Sequence, residues 1–418
     1  MTNSVRAEPV EALRQAQGER APAQGERVLD LGERAVDSGE RPLRLAMVAG
    51  EASGDLLAGL LLDGLRARWP SLQSRGIGGP QMAQRGFQAE WPYEKLAVRG
   101  YVEVLRHYRG IVGIRNTLRE RLTQEPPDAF IGIDAPDFNL DLEEALKARG
   151  IKTVHFVCPS IWAWRAERVD KLRRACDHVL CVFPFEPELL AAKGVPASYV
   201  GHPLASVIPM RPDRAGARRA LGLHDEDTVI AVLPGSRVSE VEQMAPRFLG
   251  AAALVAKARP QVRFVVPALP ALQQRIAAEA RKLGLGERLQ VVAGQSHAVL
   301  AACDLVLVAS GTATLEAALF KRPMVVGYAV NWLSYRLMWP QRLLPWVGLP
   351  NILANETLVP ELLQDRAKPE LLAAALLEWL DEPARMAAIS EKFTALHLQL
   401  QRDTAQLATD AVAQVLHR

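Results

Sequence analysis

Cysteine is scarce in this chain: there are four in 418 residues (Cys158, Cys176, Cys181 and Cys303), with no C-x-x-C pair among them. That excludes a disulfide framework and fits buried thiols in a reducing cytosol. The eight histidines show neither H-x-x-x-H nor H-x-H spacing, so no dedicated zinc site is expected. No uninterrupted apolar run approaches the roughly eighteen residues that a membrane-spanning helix needs. No signal peptide is expected either, because the first forty residues are charged and lack an apolar centre. The net charge is only +3, which gives no argument for a nucleic-acid partner.

What is present reads as an ordinary, well-buried globular protein, with 49% hydrophobic and 23% charged residues. Its length exceeds a single core, so two or more domains are expected. Residues 1–42 stand apart. Gly-Glu-Arg recurs at Gly18, Gly25, Gly32 and Gly39, but glycine in every repeat opposes helix and apolar residues are few. The segment carries a charge of −2, leaving +5 for the rest, and reads as a disordered extension.

From Leu43 onward apolar strands alternate with amphipathic helices. Strands are expected at Leu43–Ala49, Asp128–Asp134, Lys152–Cys158 and His178–Phe183, with helices at Asp55–Arg68 and Leu140–Ala148. The pattern lapses into Pro, Arg and Gly near Pro203–Arg219, then restarts. Five further strands are expected, at Thr228–Leu233, Val262–Val266, Leu289–Val292, Asp304–Ala309 and Met324–Val330. Fully apolar strands in a β-α-β rhythm call for parallel sheets covered on both faces.

Two strand-to-helix turns in the second half look built for anions. Ser310-Gly311-Thr312-Ala313-Thr314 follows a buried strand and opens a helix, aiming backbone N–H groups and the positive helix end at one spot. Glu316, one turn further on, is placed to accept from a pair of ribose hydroxyls. Upstream, Pro234-Gly235-Ser236-Arg237 ends another strand, and the Arg237 fork suits a diphosphate oxygen. Together these turns suggest a nucleotide diphosphate donor.

In the first half, Gly50-Glu51-Ala52-Ser53-Gly54-Asp55 closes the first strand, where open α/β sheets bind ligands. Ser53 and Asp55 read equally as ligand contacts or helix caps, whereas Glu51 has no capping role. Asp134 ends an apolar strand, where a carboxylate without a purpose is costly, and it is the preferred general base. Pro136 is expected to delay the next helix, with Asp137 and Asn139 read first as caps. Trp162 and Trp164 lie in an exposed-looking turn and suit sugar or acyl contacts, or domain packing. His202 lies beside the linker and reads first as structural. Two segments, Arg99–Val112 and Asn331–Trp346, mix arginine and aromatic residues with aliphatic ones, as a lipid headgroup boundary favours.

The ordered set Gly50–Asp55, Gly78-Gly79-Pro80, Gly132–Asp137, Pro159–Trp164, Leu233–Arg237, Ser310–Glu316 and Leu349-Pro350-Asn351 resembles the lipid-A-disaccharide synthase family. The resemblance covers roughly 43–400 and leaves 1–42 without a counterpart. It implies two Rossmann-like doubly wound domains of the GT-B glycosyltransferase type with a helical C-terminal tail. The boundaries expected are 43–205 for an acceptor domain, 206–225 for a linker, 226–384 for a UDP-sugar domain and 385–418 for a helix bracing the first domain. The implied reaction is inverting transfer of 2,3-diacylglucosamine from its UDP carrier to 2,3-diacylglucosamine 1-phosphate (lipid X). The products are a β-1,6-linked disaccharide 1-phosphate and UDP.

By the same resemblance, Asp134 is the important carboxylate, Arg237 the diphosphate contact and Asn351 a substrate-side asparagine. Glu51, Ser53, Asp137, Trp162 and His202 complete the candidate substrate contacts. Gly235, Ser236, Arg237, Ser310–Thr314 and Glu316 form the candidate UDP site. No acidic D-x-D cluster suited to Mg²⁺ stands out, so no metal and no cofactor are expected. The location implied is the cytoplasmic face of the inner membrane, held peripherally on phospholipid, and a homodimer stays open.

Overall fold

The computed structural model describes residues 41–96, 101–330, 335–336 and 339–417, with the backbone alone at 101–108 and 339. The membrane-facing expectation for Arg99–Val112 and Asn331–Trp346 therefore falls partly outside the described residues. So does the expectation of disorder for 1–42. The chain forms two compact units, one running up to Pro203 and regaining the chain at Leu400–Arg418, the other Leu204–Gln399.

The first unit starts with β1 (Arg44–Ala49), α1 (Ala52–Arg68), β2 (Gln73–Gly78), α2 (Pro80–Ala83) and β3 (Gln88–Pro92). It continues with α3 (Tyr101–Gln124), β4 (Ala129–Ile133), α4 (Pro136–Lys147) and β5 (Lys152–Phe156). Then come α5 (Arg168–Ala175), β6 (His178–Cys181), α6 (Glu186–Ala191) and β7 (Ala197–Tyr199). These strands make one seven-stranded sheet in the order β3-β2-β1-β4-β5-β6-β7, with every pair parallel. Leu45–Ala49 and Ala129–Ile133 are buried throughout because helices cover both faces. On one face Phe138, Leu142 and Leu146 of α4 meet Val48, Ile77 and Phe130 of the sheet.

The second unit opens with α7 (Pro203–Val207), α8 (Arg214–Leu221), β8 (Thr228–Leu233), α9 (Val238–Ala258) and β9 (Val262–Ala268). Next are α10 (Pro270–Lys282), β10 (Leu289–Ala293), α11 (Ser296–Ala302), β11 (Leu305–Val308), α12 (Thr312–Leu319) and β12 (Met324–Tyr328). It ends with α13 (Leu349–Ala354), β13 (Glu361–Leu363), α14 (Pro369–Asp381) and α15 (Pro383–Leu400). Its six-stranded parallel sheet has the order β10-β9-β8-β11-β12-β13.

Three expectations change in detail. The stretch 206–225 carries α8, capped by the Asp213 carboxylate on the Gly216 N–H and by left-handed Gly222. Arg218 is wholly buried there, donating to Ala302 O, to three carbonyls of 224–227 and to Asp304. The composition that reads as linker thus includes a packed helix. Pro136 starts α4 rather than delaying it, since its fixed φ and missing N–H suit the first helical position. The tail is two helices. α15 belongs to the second unit up to Gln399, and only α16 (Thr404–Leu416) packs on α1 of the first. Gly64 permits that approach: a Cβ there would stand 2.4 Å from Thr409 Oγ1 and 2.5 Å from Ala405 O.

Candidate functional site

Each sheet reverses its strand order once, between β1 and β4 in the first unit and between β8 and β11 in the second. Ligands of open parallel sheets bind outside the carboxyl ends of strands at such reversals. The loops that flank them are 50–55 and 134–139 in the first unit, and 234–237 and 309–314 in the second.

In the first unit, Asp134 leaves β4 with φ +53° and Ala135 follows with φ +44°, two successive left-handed residues without a glycine. The Asp134 N–H donates to Phe156 O at 2.8 Å, fixing the turn to β5. Among the described residues no hydrogen bond or ion pair reaches its carboxylate. Glu51 occupies the N-cap position of α1 without capping it, and Ser53 is exposed in the first turn. Asp55 is a structural residue. It is 1% exposed, and its carboxylate accepts from the N–H groups of Gly79 (2.8 Å), Gln81 (2.9 Å) and Met82 (3.2 Å). It thereby caps α2 from a neighbouring element.

Two other first-unit expectations need revision. Asp137 does not cap; its exposed carboxylate pairs with Arg168 at 2.5 Å. The turn carrying Trp162 is not exposed at that residue. Trp162 is 3% exposed, set edge-on to Phe183 and Phe185, with its N–H donating to Glu186 at 3.0 Å. An apolar ring outweighs the polar look of its neighbours, and Trp164 instead stays half-exposed under Arg165 and Arg168. Burial pushes the Glu186 carboxyl up to about 8, against three N–H donors that favour its charged form. His202 lies 5.4 Å from Phe183 with the rings tilted by 30°, and burial holds its pKa down to about 4, so it is neutral at pH 7.

In the second unit, Gly235 takes φ +133° and Arg237 occupies the N-cap position of the 21-residue α9. Glu240, three residues on, supplies the acceptor at this helix end. Its Oε2 accepts from the N–H groups of Ser236 (3.2 Å) and Arg237 (3.4 Å), and its Oε1 from the Arg237 guanidinium (3.2 Å). The donors expected to hold an anion thus converge on an internal carboxylate. Burial raises the Tyr328 phenol at the end of β12, with Glu240 adding and Arg237 opposing.

At the second turn, Gly311 has φ +107° and α12 starts at Thr312, leaving the first N–H groups of the helix without intrahelical acceptors. Gly311 and Thr312 are exposed and Ala313 half-buried. The two hydroxyls beside them serve the fold. Ser310 donates to Val347 O at 3.2 Å; buried Thr314 donates to Gly311 O at 2.8 Å and accepts from the Leu349 N–H at 3.1 Å. Asn351 is also fully used. It is 0% exposed, donates to Val359 O and Glu361, and accepts from the N–H groups of Leu358 and Val359. It pins the 347–361 loop rather than presenting an amide outward, which corrects the substrate-side expectation for its side chain.

Glu316 faces His297 of α11, whose Nε2 lies 3.6 Å from Oε2; the nearby Glu316 carboxylate raises the imidazole pKa. His297 and Glu240 are neighbours of the site that sequence reading passes over. Glu240 was findable from its i,i+3 spacing after the oppositely charged Arg237, whereas His297 comes from a separate helix. Two acidic features carry no cation argument. Asp225 and Asp227 have D-x-D spacing, but they precede β8, and Asp227 is bonded to the His224 N–H and Arg263. Glu143, His155 and Cys176 cluster in the core, where they hydrogen-bond one another.

Two doubly wound units with helix-opening turns at both strand reversals define the GT-B class of glycosyltransferases. Solved structures agree on the fold. A UDP-GlcNAc 2-epimerase from Neisseria meningitidis bound to UDP-GlcNAc matches with a TM-score of 0.58 and 11% identity, over 90% of this chain and all of the other. MurG from Acinetobacter baumannii matches with a TM-score of 0.57 and 16% identity, over 89% of this chain and all of the other.

The chain belongs to the lipid-A-disaccharide synthase family: residues 45–415 match the family model described as lipid-A-disaccharide synthetase. The lipid-A-disaccharide synthase of Albidiferax ferrireducens is 63% identical over 90% of this chain and 97% of its own length. That of Verminephrobacter eiseniae is 59% identical over 90% and 98% respectively.

Proposed function

We propose that the chain transfers 2,3-diacylglucosamine from UDP-2,3-diacylglucosamine to the 6-hydroxyl of lipid X, forming the β-1,6-linked lipid A disaccharide 1-phosphate and releasing UDP. Membership of the family supports the reaction. The residue roles rest on one observation: each strand reversal carries the group that its half of the chemistry requires. At the first it is the Asp134 carboxylate, taken by no described partner. At the second it is the Arg237 guanidinium with the amino end of α12.

In this reading Asp134 accepts the proton of the acceptor hydroxyl as that oxygen attacks the anomeric carbon. The bond to the UDP oxygen breaks on the opposite face, inverting the centre. Arg237 and the N–H groups of Gly311–Ala313 stabilise the charge that gathers on the departing diphosphate. Glu316 accepts from the ribose hydroxyls. Glu51 and Ser53 border the acceptor side. The acyl chains of both substrates remain in the inner leaflet, so the protein works peripherally on the cytoplasmic face of that membrane.

The test is incubation of the purified protein with UDP-2,3-diacylglucosamine and lipid X, reading the disaccharide by mass spectrometry. Deacylated UDP-glucosamine serves as the control. Equal turnover of the deacylated donor would point to a soluble-substrate enzyme and overturn the reading.

A further inference from the structure

We infer that Asn139 is a positioning residue for Asp134, holding the left-handed turn that presents the carboxylate; this rests on the role proposed for Asp134. Two consecutive non-glycine residues in the left-handed region, Asp134 and Ala135, form an unfavourable backbone that persists only where its surroundings enforce it. Beside the backbone bond from the Asp134 N–H to Phe156 O, the enforcement comes from one side chain. Asn139 is 0% exposed, and its Nδ2 donates to Asp134 O at 2.8 Å, with Ile133 O and Val48 O each at 3.4 Å. One amide thus draws the ends of β1 and β4 together at the strand reversal.

The surroundings are cut to fit. A Cβ on Gly132 would stand 2.9 Å from the Asn139 Cβ, and one on Gly50 would stand 2.7 Å from the Ala135 Cβ. The other end of the amide is revealing: Asn139 Oδ1 is buried and meets no donor among the described residues. A buried polar atom left unpaired costs stability. An amide kept there despite that cost is explained by the turn it holds. Asn139 does not touch the reacting groups in this account; it acts through the Asp134 backbone.

The test compares wild type with Asn139→Leu, which keeps the volume and removes the donor, after circular dichroism and thermal melting establish folding. The expected result is a fall in kcat of about tenfold to a hundredfold, as a small misplacement of a reacting group produces, with the KM for the UDP donor within about twofold. Adding Asp134→Ala to Asn139→Leu should cost little beyond Asp134→Ala alone. Ala135→Gly in the Asn139→Leu background should recover part of kcat, since glycine adopts the left-handed turn freely.

Should Asn139→Leu fail to fold, Gly50→Ala strains the same turn without touching the amide and should give the same kcat-selective loss. Folded variants with wild-type kcat, equal changes in kcat and KM, or additive losses with Asp134→Ala would each overturn the inference. Full turnover by Asp134→Ala would instead sink the functional reading on which it rests.

Discussion

The Glu240 carboxylate lies across the amino end of α9, with Oε1 3.2 Å from the Arg237 guanidinium and Oε2 on the N–H groups of Ser236 and Arg237. A helix amino end with adjacent free N–H groups attracts anions, and here an internal one is already in place. A diphosphate using Arg237 must share or displace it. Glu240→Gln removes the charge while keeping a capping oxygen. UDP should then bind roughly threefold to tenfold more tightly by calorimetry, the effect of one like charge removed near a surface. Weaker binding would mean that Glu240 serves the site by aiming Arg237.

Asp134→Asn is nearly isosteric and cannot accept a proton. Its kcat should fall by about two to four orders of magnitude, the usual worth of a general base, while UDP affinity stays at the wild-type level. Wild-type turnover would remove the base assignment.

Asp55→Ala should behave as a structural lesion. Three backbone donors at the start of α2 lose their buried acceptor, which should cost about 1–3 kcal/mol of stability in chemical denaturation. UDP binding by the folded fraction should be unchanged.

His202 gives a pH prediction with a definite sign. Its folded pKa is held at about 4 against an ordinary 6.5, so between those values the unfolded chain takes up the proton first. Stability should decline as pH falls from about 6.5 towards 4, and His202→Gln should flatten that part of the profile. Identical profiles for the two proteins would refute the assignment.

The alternation of apolar strands was legible because both sheets are parallel and covered on each face, and Thr228–Leu233 is a strand as expected. β2 was harder to read. Gln73-Ser74-Arg75-Gly76 carries little apolar signal, yet it pairs along β1 from Arg44 to Val48. The loops at the strand reversals were legible from their small residues and lone charges. Side-chain assignments beyond them depended on long-range partners that no local pattern carries. Trp162 is turned inward by Phe183, Phe185 and Glu186, and Asn351 is consumed by the 358–361 segment. Asn139, read as a cap, is spent across β1 and β4 instead.

The seat of α16 against Gly64 has a consequence for how the polypeptide is made. Strands β1 to β7 emerge early from the ribosome, but the α1 surface beneath Thr409 stays bare until α16 (Thr404–Leu416) is synthesised. The first unit therefore completes its fold only after the whole of the second has been made, and a chain interrupted before Thr404 would lose more of the first unit's packing than of the second's.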